Sequence, residues 1–324
     1  MLAKREPTSD LEGQGKSRIA LELAAESSSS KNRRVSREKT MLRPHNMTLI
    51  RAASFREIPP MKRTAAVLFF VAAVATALAQ PPAVTPLPQA HAHNDYEHKR
   101  PLLDALEQGF CSVEADIFLT KDGLLVAHHV FDLKPQRTLQ KLYLDPLRER
   151  VKANGGRVFK DGPTFHLLID VKTDARTTYA ALAKVLAEYA DLLTVTRDGK
   201  VTARAVTVVI SGSCDRDAIT AATTRYAAID GRPGDLNGDA PAPLIPWISA
   251  SWNSQFQWNG VGAMPDTERR KLRDHVAKAH AQGRLVRFWG TPDRTEAWAE
   301  QRAAGVDLIN TDKLAELRAF LTKK

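Results

Sequence analysis

Five histidines fall within the 39 residues from His91 to His129, HAHNDYEHKRPLLDALEQGFCSVEADIFLTKDGLLVAHH, and two acids, Glu114 and Asp116, stand two apart in an apolar run there. Imidazoles exchange protons near neutral pH and paired carboxylates hold cations, so this stretch could do acid–base chemistry beside a bound charge. Side chains alternate faces along a strand, so Glu114 and Asp116 point the same way, as do His91 and His93. Two carboxylates side by side in a core repel each other and lose hydration unless a divalent cation, an arginine or a lysine sits between them. An exposed edge strand would accommodate them without such a partner. Val113, Ala115, Ile117 and Phe118 instead mark a buried strand, bounded by Gly109 and the Lys-Asp-Gly turn at 121–123. The metal or active-site reading is therefore the one carried forward.

The elements that must position these groups follow from the pattern downstream of residue 87. Apolar, β-branched runs at 89–93, 111–119, 124–128, 165–171, 205–211, 244–251, 285–289 and 307–310 read as strands. Amphipathic stretches at 101–108, 139–153, 174–190, 215–228, 266–282, 294–304 and 313–321 read as helices between them. Gly109, Gly283 and Gly305 each stand where a helix gives way to a strand, the expected left-handed stop. Alternation of strand and helix over this length predicts a parallel sheet, and about eight units predict an α/β fold of the (β/α)8 barrel type. No glycine-rich dinucleotide loop follows the first strand, which disfavours an open doubly wound sheet. Residues 229–245, rich in Pro and Gly, read as a long loop near the site.

With 43% hydrophobic residues among 324, the chain can bury one large core, expected over 80–324. Residues 1–60 are rich in Ser, Lys and Arg without periodicity and read as disordered, or as an extension created by start-site choice. From Met61, a basic start, a short apolar run and Ala77-Leu-Ala79 have the layout of a signal peptide, so the domain is expected to be exported after cleavage near Ala79. A cytoplasmic arm ahead of a signal anchor is the other account of that order. Residues 1–63 hold 14 of the 47 Lys and Arg and 7 of the 37 Asp and Glu, so they supply +7 of the formal +10 and leave +3. A nucleic-acid partner thereby loses its main support, and no stable protein partner is indicated. Cys111 and Cys214 would lie at opposite ends of a parallel sheet and are expected to be free thiols.

In a barrel the carboxyl ends of the strands carry the chemistry. Those ends supply His91 and His93, Glu114 and Asp116, His128 and His129, then Asp170 and Lys172 on one face of HLLIDVK, and later Ser211, Trp289 and Asp312. Glu114, Asp116 and Asp170 with the Asn94 amide form an all-oxygen set, which suits Ca²⁺ or Mg²⁺ better than zinc. Histidines from the first and third of these runs could flank the ion as general base and acid, with Lys172 neutralising a phosphate oxygen. That combination answers the needs of phosphodiester cleavage.

The stretch resembles the phospholipase C-like phosphodiesterases, a (β/α)8 superfamily that includes glycerophosphodiester phosphodiesterases and phosphatidylinositol-specific phospholipases C. His93-Asn94-Asp95-Tyr96 is similar to the phospholipase H-N-x-Y segment, which implies a catalytic His93 and a metal-binding Asn94. Glu114-Ala-Asp116 followed by Thr120-Lys-Asp-Gly123 is similar to the E-x-D…T-K-D-G signature, which implies that both acids bind metal. Leu125-Val-Ala-His128 looks like the segment with the second catalytic histidine; His129 is the alternative by one register, and His128 matches better. Leu168-Ile-Asp170-Val-Lys172 resembles an E-x-K strand with Asp in place of Glu, and residues 305–312 resemble the closing G-V-D-x-x-x-T-D strand. The HAHNDY form resembles fungal mitochondrial-inheritance proteins and exported bacterial relatives. The resemblance implies a small phosphodiester or phospholipid head group as substrate. The usual H-R-G opening is absent, since His93 is followed by Asn94-Asp95.

Two other functions compete. His91-Ala-His93 also matches the H-x-H of amidohydrolase-type barrels, yet no histidine lies between His166 and His275 to complete such a site. A non-catalytic barrel holding a sugar or polyol could use Trp247, Trp252, Phe256 and Trp258 as a stacking platform, or those rings could simply pack.

Overall fold

A computed structural model describes residues 84–323, so the expectations for 1–60 and for the leader at 61–79 lie outside the described residues. Eight parallel strands form the frame: β1 Leu87–Ala92, β2 Phe110–Thr120, β3 Phe165–Val171, β4 Val206–Gly212, β5 Ala227–Gly231, β6 Trp247–Ser251, β7 Leu285–Trp289 and β8 Ile309–Thr311. They pair in chain order, β8 returns to β1 through Ala90↔Ile309 to Ala92↔Thr311, and a parallel bridge Arg287↔Leu308 joins β7 to the approach of β8. The sheet closes on itself, which leaves no open edge. This is the expected (β/α)8 barrel.

Alternation sorts each strand. In β2, Cys111, Val113, Ala115 and Ile117 belong to the core shared with the helices, while Ser112, Glu114 and Asp116 take the other face, toward the barrel axis. On the axis a separate plug of Leu168, Val209, Ala228, Trp247 and Leu308 fills the lower layers. One step further along the strands the inward residues turn polar: Asp116 stands beside Asp170, and Asp170 beside Ser211. An apolar floor under a polar rim places the charges at the carboxyl-end mouth, where water and ligands reach them.

The eight-strand count stands, but two expected strands change places. Residues 124–128 were expected as a strand of the frame; Gly123–Val126 instead runs antiparallel to β2, with Ile117↔Val126 and Thr120↔Gly123 in register. Only Lys121 and Asp122 separate the two runs, enough for a hairpin and far too few for the crossover a parallel neighbour requires. The missing stave is β5, expected as the end of a helix at 215–228 and the start of a loop. Its AAIDG run is buried throughout, and an added Cβ at Gly231 would lie 2.4 Å from Ile245 and 2.8 Å from Ile248. The helix before it stops at Ala221, and β5 reaches β6 through a 3-10 turn, Pro233–Asn237.

Elsewhere helices follow the strands as expected, including Leu103–Glu107, Asp145–Ala153, Ala175–Ala187, Asp266–His280, Thr295–Ala304 and Leu314–Thr322. Gly109 has φ +86 and sits where a Cβ would meet the Thr85 carbonyl at 2.3 Å, so no other residue fits that stop. Cys111 and Cys214 are free thiols, and burial pushes both upward, to about 12 and about 11. The aromatic rings of the sixth unit are packing. Trp247 and Trp252 are fully buried, and Phe256 and Trp258 nearly so, which leaves no stacking platform among them.

Candidate active site

A cleft of about 300 Å³ opens at the mouth, lined by His93, Asn94, Glu114, Asp116, His128, Asp170 and Lys172, together with Ser211, Arg232, Arg287 and Trp289. All seven residues singled out from the sequence meet there. A larger cavity of about 410 Å³ lies at the opposite end of the barrel under Thr164, His166 and Pro246, away from these groups.

His93 follows β1 directly. Its Nδ1 donates to Asp312 Oδ1 at 2.8 Å, which leaves Nε2 without a partner among the described residues. Burial lowers the proton affinity of this imidazole, but the Asp312 hydrogen bond and the Glu114 and Asp312 charges outweigh it and hold the histidine above its ordinary value. The next turn is built by Asp95, whose buried Oδ2 accepts from the Leu102 amide at 2.6 Å and the Tyr143 hydroxyl at 2.9 Å. Burial pushes the Asp95 carboxyl up to about 7. Asn94 adopts a left-handed backbone (φ 46), which asparagine tolerates.

That turn delivers Tyr96 to the centre of the site. Its hydroxyl lies 2.7 Å from Asn94 Oδ1, 2.7 Å from Asp116 Oδ2 and 2.8 Å from His128 Nδ1. A phenol carries one proton, so it donates to one oxygen and accepts from His128 Nδ1, fixing that imidazole with Nε2 free of partners among the described residues. The two rings stack with an interplanar angle of 17°. His129 packs edge-on against His128 at 4.3 Å and does not line the cleft.

Lys172 lies between two carboxylates, with Nζ 2.9 Å from Asp116 Oδ2 and 2.9 Å from Asp170 Oδ1. Burial lowers the lysine's proton affinity, yet the two aspartates overcome this and raise it. Burial and the neighbouring Glu114 push Asp116 upward against the opposing pull of Lys172 and Tyr96. The close approach of β4 requires glycine: a Cβ at Gly212 would stand 2.4 Å from Asp170 Oδ1.

Glu114 has separate partners. Arg287 Nη2 donates to its Oε2 at 2.5 Å, and Arg287 Nε donates to Asn310 Oδ1 at 2.9 Å. Burial would raise this carboxyl, but the Arg287 charge and the His91 imidazole hold it well below the usual range. His91 is fully buried beneath, 2.7 Å from Ser112 Oγ, and burial lowers it to about 3, so it stays neutral. His91 and His93 share a face as expected, but only His93 reaches the mouth.

These residues fit a hard divalent cation in kind. Asp116 Oδ1 is a buried carboxylate oxygen with no hydrogen-bond partner, and Glu114 and Asp170 share its cleft. As placed, no three acidic or imidazole groups among the described residues gather at coordination distance, because Lys172 Nζ bridges Asp116 and Asp170. Asn94 is the weakest member of the expected set, since its Oδ1 already serves the Tyr96 hydroxyl. The sequence reading gave Tyr96, Arg232 and Arg287 no role. Tyr96 was within reach, as the last residue of the H-N-x-Y segment; Arg232 was hidden by the misplaced fifth strand.

A family profile described as the AIM6-like phosphodiesterase domain matches residues 82–230, and one described as the glycerophosphoryl diester phosphodiesterase family matches 286–315. Altered inheritance of mitochondria protein 6 of Eremothecium gossypii is 30% identical over 72% of this chain and 69% of its own length. The homologous protein of Arthroderma benhamiae is 28% identical over 73% and 84% respectively. A solved glycerophosphodiester phosphodiesterase from Agrobacterium tumefaciens superimposes with a TM-score of 0.44 at 15% identity, over 73% of this chain and all of its own. The chain belongs to the altered inheritance of mitochondria protein 6 family, within the phospholipase C-like phosphodiesterases.

Proposed function

We propose that this protein is an exported, divalent-metal-dependent phosphodiesterase that cleaves a glycerophosphodiester or phosphoinositide-like diester, with His93 and His128 as the proton-transfer pair. One observation carries the reading. Both imidazoles are anchored through Nδ1, by Asp312 and Tyr96, both have an Nε2 without a partner among the described residues, and both line the cleft that holds Asp116, Lys172 and Asp170. Cleavage of a diester needs a proton taken from the attacking oxygen and one given to the leaving oxygen: the neutral imidazole of His93 takes the first at Nε2, and His128, entering as imidazolium, gives the second from Nε2. Asp312 stabilises the imidazolium that forms when His93 takes a proton, and Lys172 offers its charge to a phosphoryl oxygen. Glu114, Asp116 and Asp170, with Asn94 in a lesser part, would hold Ca²⁺ or Mg²⁺, which when bound polarises the phosphoryl group and offsets its charge. Export rests on the leader-like segment at 61–79.

The test is turnover of soluble and lipid phosphodiesters by the purified protein with Ca²⁺, Mg²⁺ or chelator, beside His93→Ala and His128→Ala. Metal-dependent cleavage lost by roughly a hundredfold or more in both variants is expected. Activity that survives both substitutions, or no cleavage of any diester, sinks the reading. Amino-terminal sequencing of protein recovered from the producing cell checks export, with Gln80 the expected first residue.

A further inference from the structure

Arg232 stands across the mouth from the histidines. It follows β5, four strands from β1 and so on the opposite wall of an eight-stranded barrel, whereas His93, Asp116 and Lys172 extend from β1, β2 and β3. Its guanidinium is gripped from below. Nη1 donates to Asp230 Oδ2 at 2.6 Å and to the Asp230 and Gly231 carbonyls at 3.2 and 3.1 Å, while Nη2 donates to Ser211 Oγ at 3.1 Å. Asp230 is itself buried, and its two oxygens also accept from Ser211 Oγ at 2.9 Å and Ser249 Oγ at 2.5 Å. The anchor is a satisfied buried network, so it fixes the arginine in one place.

A guanidinium has five N–H donors. Nη1 spends both of its hydrogens and Nη2 one, so the Nε hydrogen and the second Nη2 hydrogen have no acceptor among the described residues. The side chain is 41% exposed and lines the cleft. Arg287 makes the contrast: only 3% exposed, it uses Nε and Nη2 on interior acceptors. The Arg232 guanidinium carbon also lies 5.1 Å from the centroid of the Trp289 ring. The indole face that could receive a cationic head group is therefore already occupied by a cation.

We infer that Arg232, clamped by Asp230 and Ser211 and laid on Trp289, forms a subsite for an oxyanion carried by the diester's second substituent, and that it turns away quaternary ammonium head groups. This rests on the phosphodiesterase reading, which puts the reacting phosphate on the β1–β3 wall and its substituent on this one. Carboxylate and phosphate share the chemistry the fork recognises.

The full chain is assayed on glycerol phosphate diesters whose head group is glycerol, glycerol phosphate, glycerate or choline. The expected order puts the phosphate or glycerate head group about tenfold or more above glycerol in kcat/KM, with choline lowest. Which of the two anions leads identifies the source. In Arg232→Gln the anionic advantage collapses through KM while the glycerol diester stays within about threefold, and Arg232→Lys keeps part of it. Calorimetry supplies a readout free of turnover: wild type binds glycerol bisphosphate about tenfold tighter than glycerol phosphate, and Arg232→Gln loses that ratio. A choline diester as best substrate, or the same binding ratio in wild type, Arg232→Gln and Arg232→Lys, overturns the subsite. Wild-type failure on all four diesters overturns the phosphodiesterase reading instead, and the calorimetric ratio still decides the subsite.

Discussion

Replacing Arg287 with methionine isolates what holds Glu114 in the barrel. The two side chains are 3% and 8% exposed and meet at 2.5 Å, so the substitution leaves a buried carboxylate without its cation. Breaking such a pair from one side costs about 3–5 kcal/mol, far more than the pair's net worth, because desolvation of the survivor is no longer offset. For a domain of this size that corresponds to a fall in melting temperature of roughly 6–20 °C. Glu114→Gln alone should cost less, about 1–3 kcal/mol, since an amide can still accept from Arg287. The double variant should recover part of the loss, with a coupling of about 2 kcal/mol or more. Acid provides the second axis. In wild type the Glu114 carboxyl is held low, so its contribution is present above the unfolded value of 4.5 and is lost only as pH falls through the lower folded value. In Arg287→Met the largest force holding the carboxyl down is gone and burial is opposed only by the His91 and His93 imidazoles, so the carboxyl should rise and the deficit against wild type should narrow as pH falls from about 7 to about 5. Urea unfolding of the four proteins at both pH values reads all of this. An Arg287→Met protein within about 1 kcal/mol of wild type, or a deficit that does not narrow in acid, refutes the account.

Tyr96→Phe removes the hydroxyl that orients His128, and kcat should fall about tenfold or more with KM little changed; an unchanged kcat removes Tyr96 from the proton path. His166 is lowered by burial from 6.5 to about 4, so its charged form is disfavoured in the fold. The sign follows: stability is unaffected above pH 6.5 and is lost as pH falls toward 4, by at most about 3 kcal/mol, and by less because the ring borders the lower cavity. His166→Gln should flatten that acid limb in urea titrations, and an unchanged limb refutes the assignment. Chelation should weaken glycerol phosphate binding by about thirtyfold, restored by Mg²⁺ or Ca²⁺, as calorimetry would show; equal affinity with and without the ion removes the metal from the site.

The sequence made the mouth of the barrel legible because strand alternation is a strong rule. Glu114 with Asp116, and Asp170 with Lys172, had to share faces, and they do. The wall from β4 to β6 was harder to read for physical reasons. Ala227 to Gly231 has a single β-branched residue, Ile229, behind two helix-favouring alanines, so its burial between β4 and β6 rather than its local pattern makes it a strand. Losing β5 meant losing Asp230 and with it the reason for Arg232. The hairpin at Gly123 was readable, since two intervening residues exclude a crossover. The Arg287–Glu114 pair joins residues 173 apart, and no local pattern announces it.

Charge balance links these pieces. Glu114 and Arg287 cancel inside the barrel, and Asp230 and Arg232 cancel on the opposite wall. What remains around Lys172 is Asp116 and Asp170 against that single cation, an excess of one negative charge where the proposed diester anion would approach. Asp116 is pushed upward by its own burial and by the Glu114 charge, against the pull of Lys172 and Tyr96. At an effective dielectric of about 20, one unlike or like charge at about 5 Å is worth roughly 3 kcal/mol, less where water screens it. A hard divalent ion on these oxygens turns the excess from one negative to one positive, and repulsion of the substrate into attraction. One protonated histidine, the general acid, would only cancel that excess, and reversing it with the second would give up the base that the proposed cleavage needs. The charge argument thus supports the ion-binding part proposed for Asp116 and Asp170, while Lys172 bridges the two.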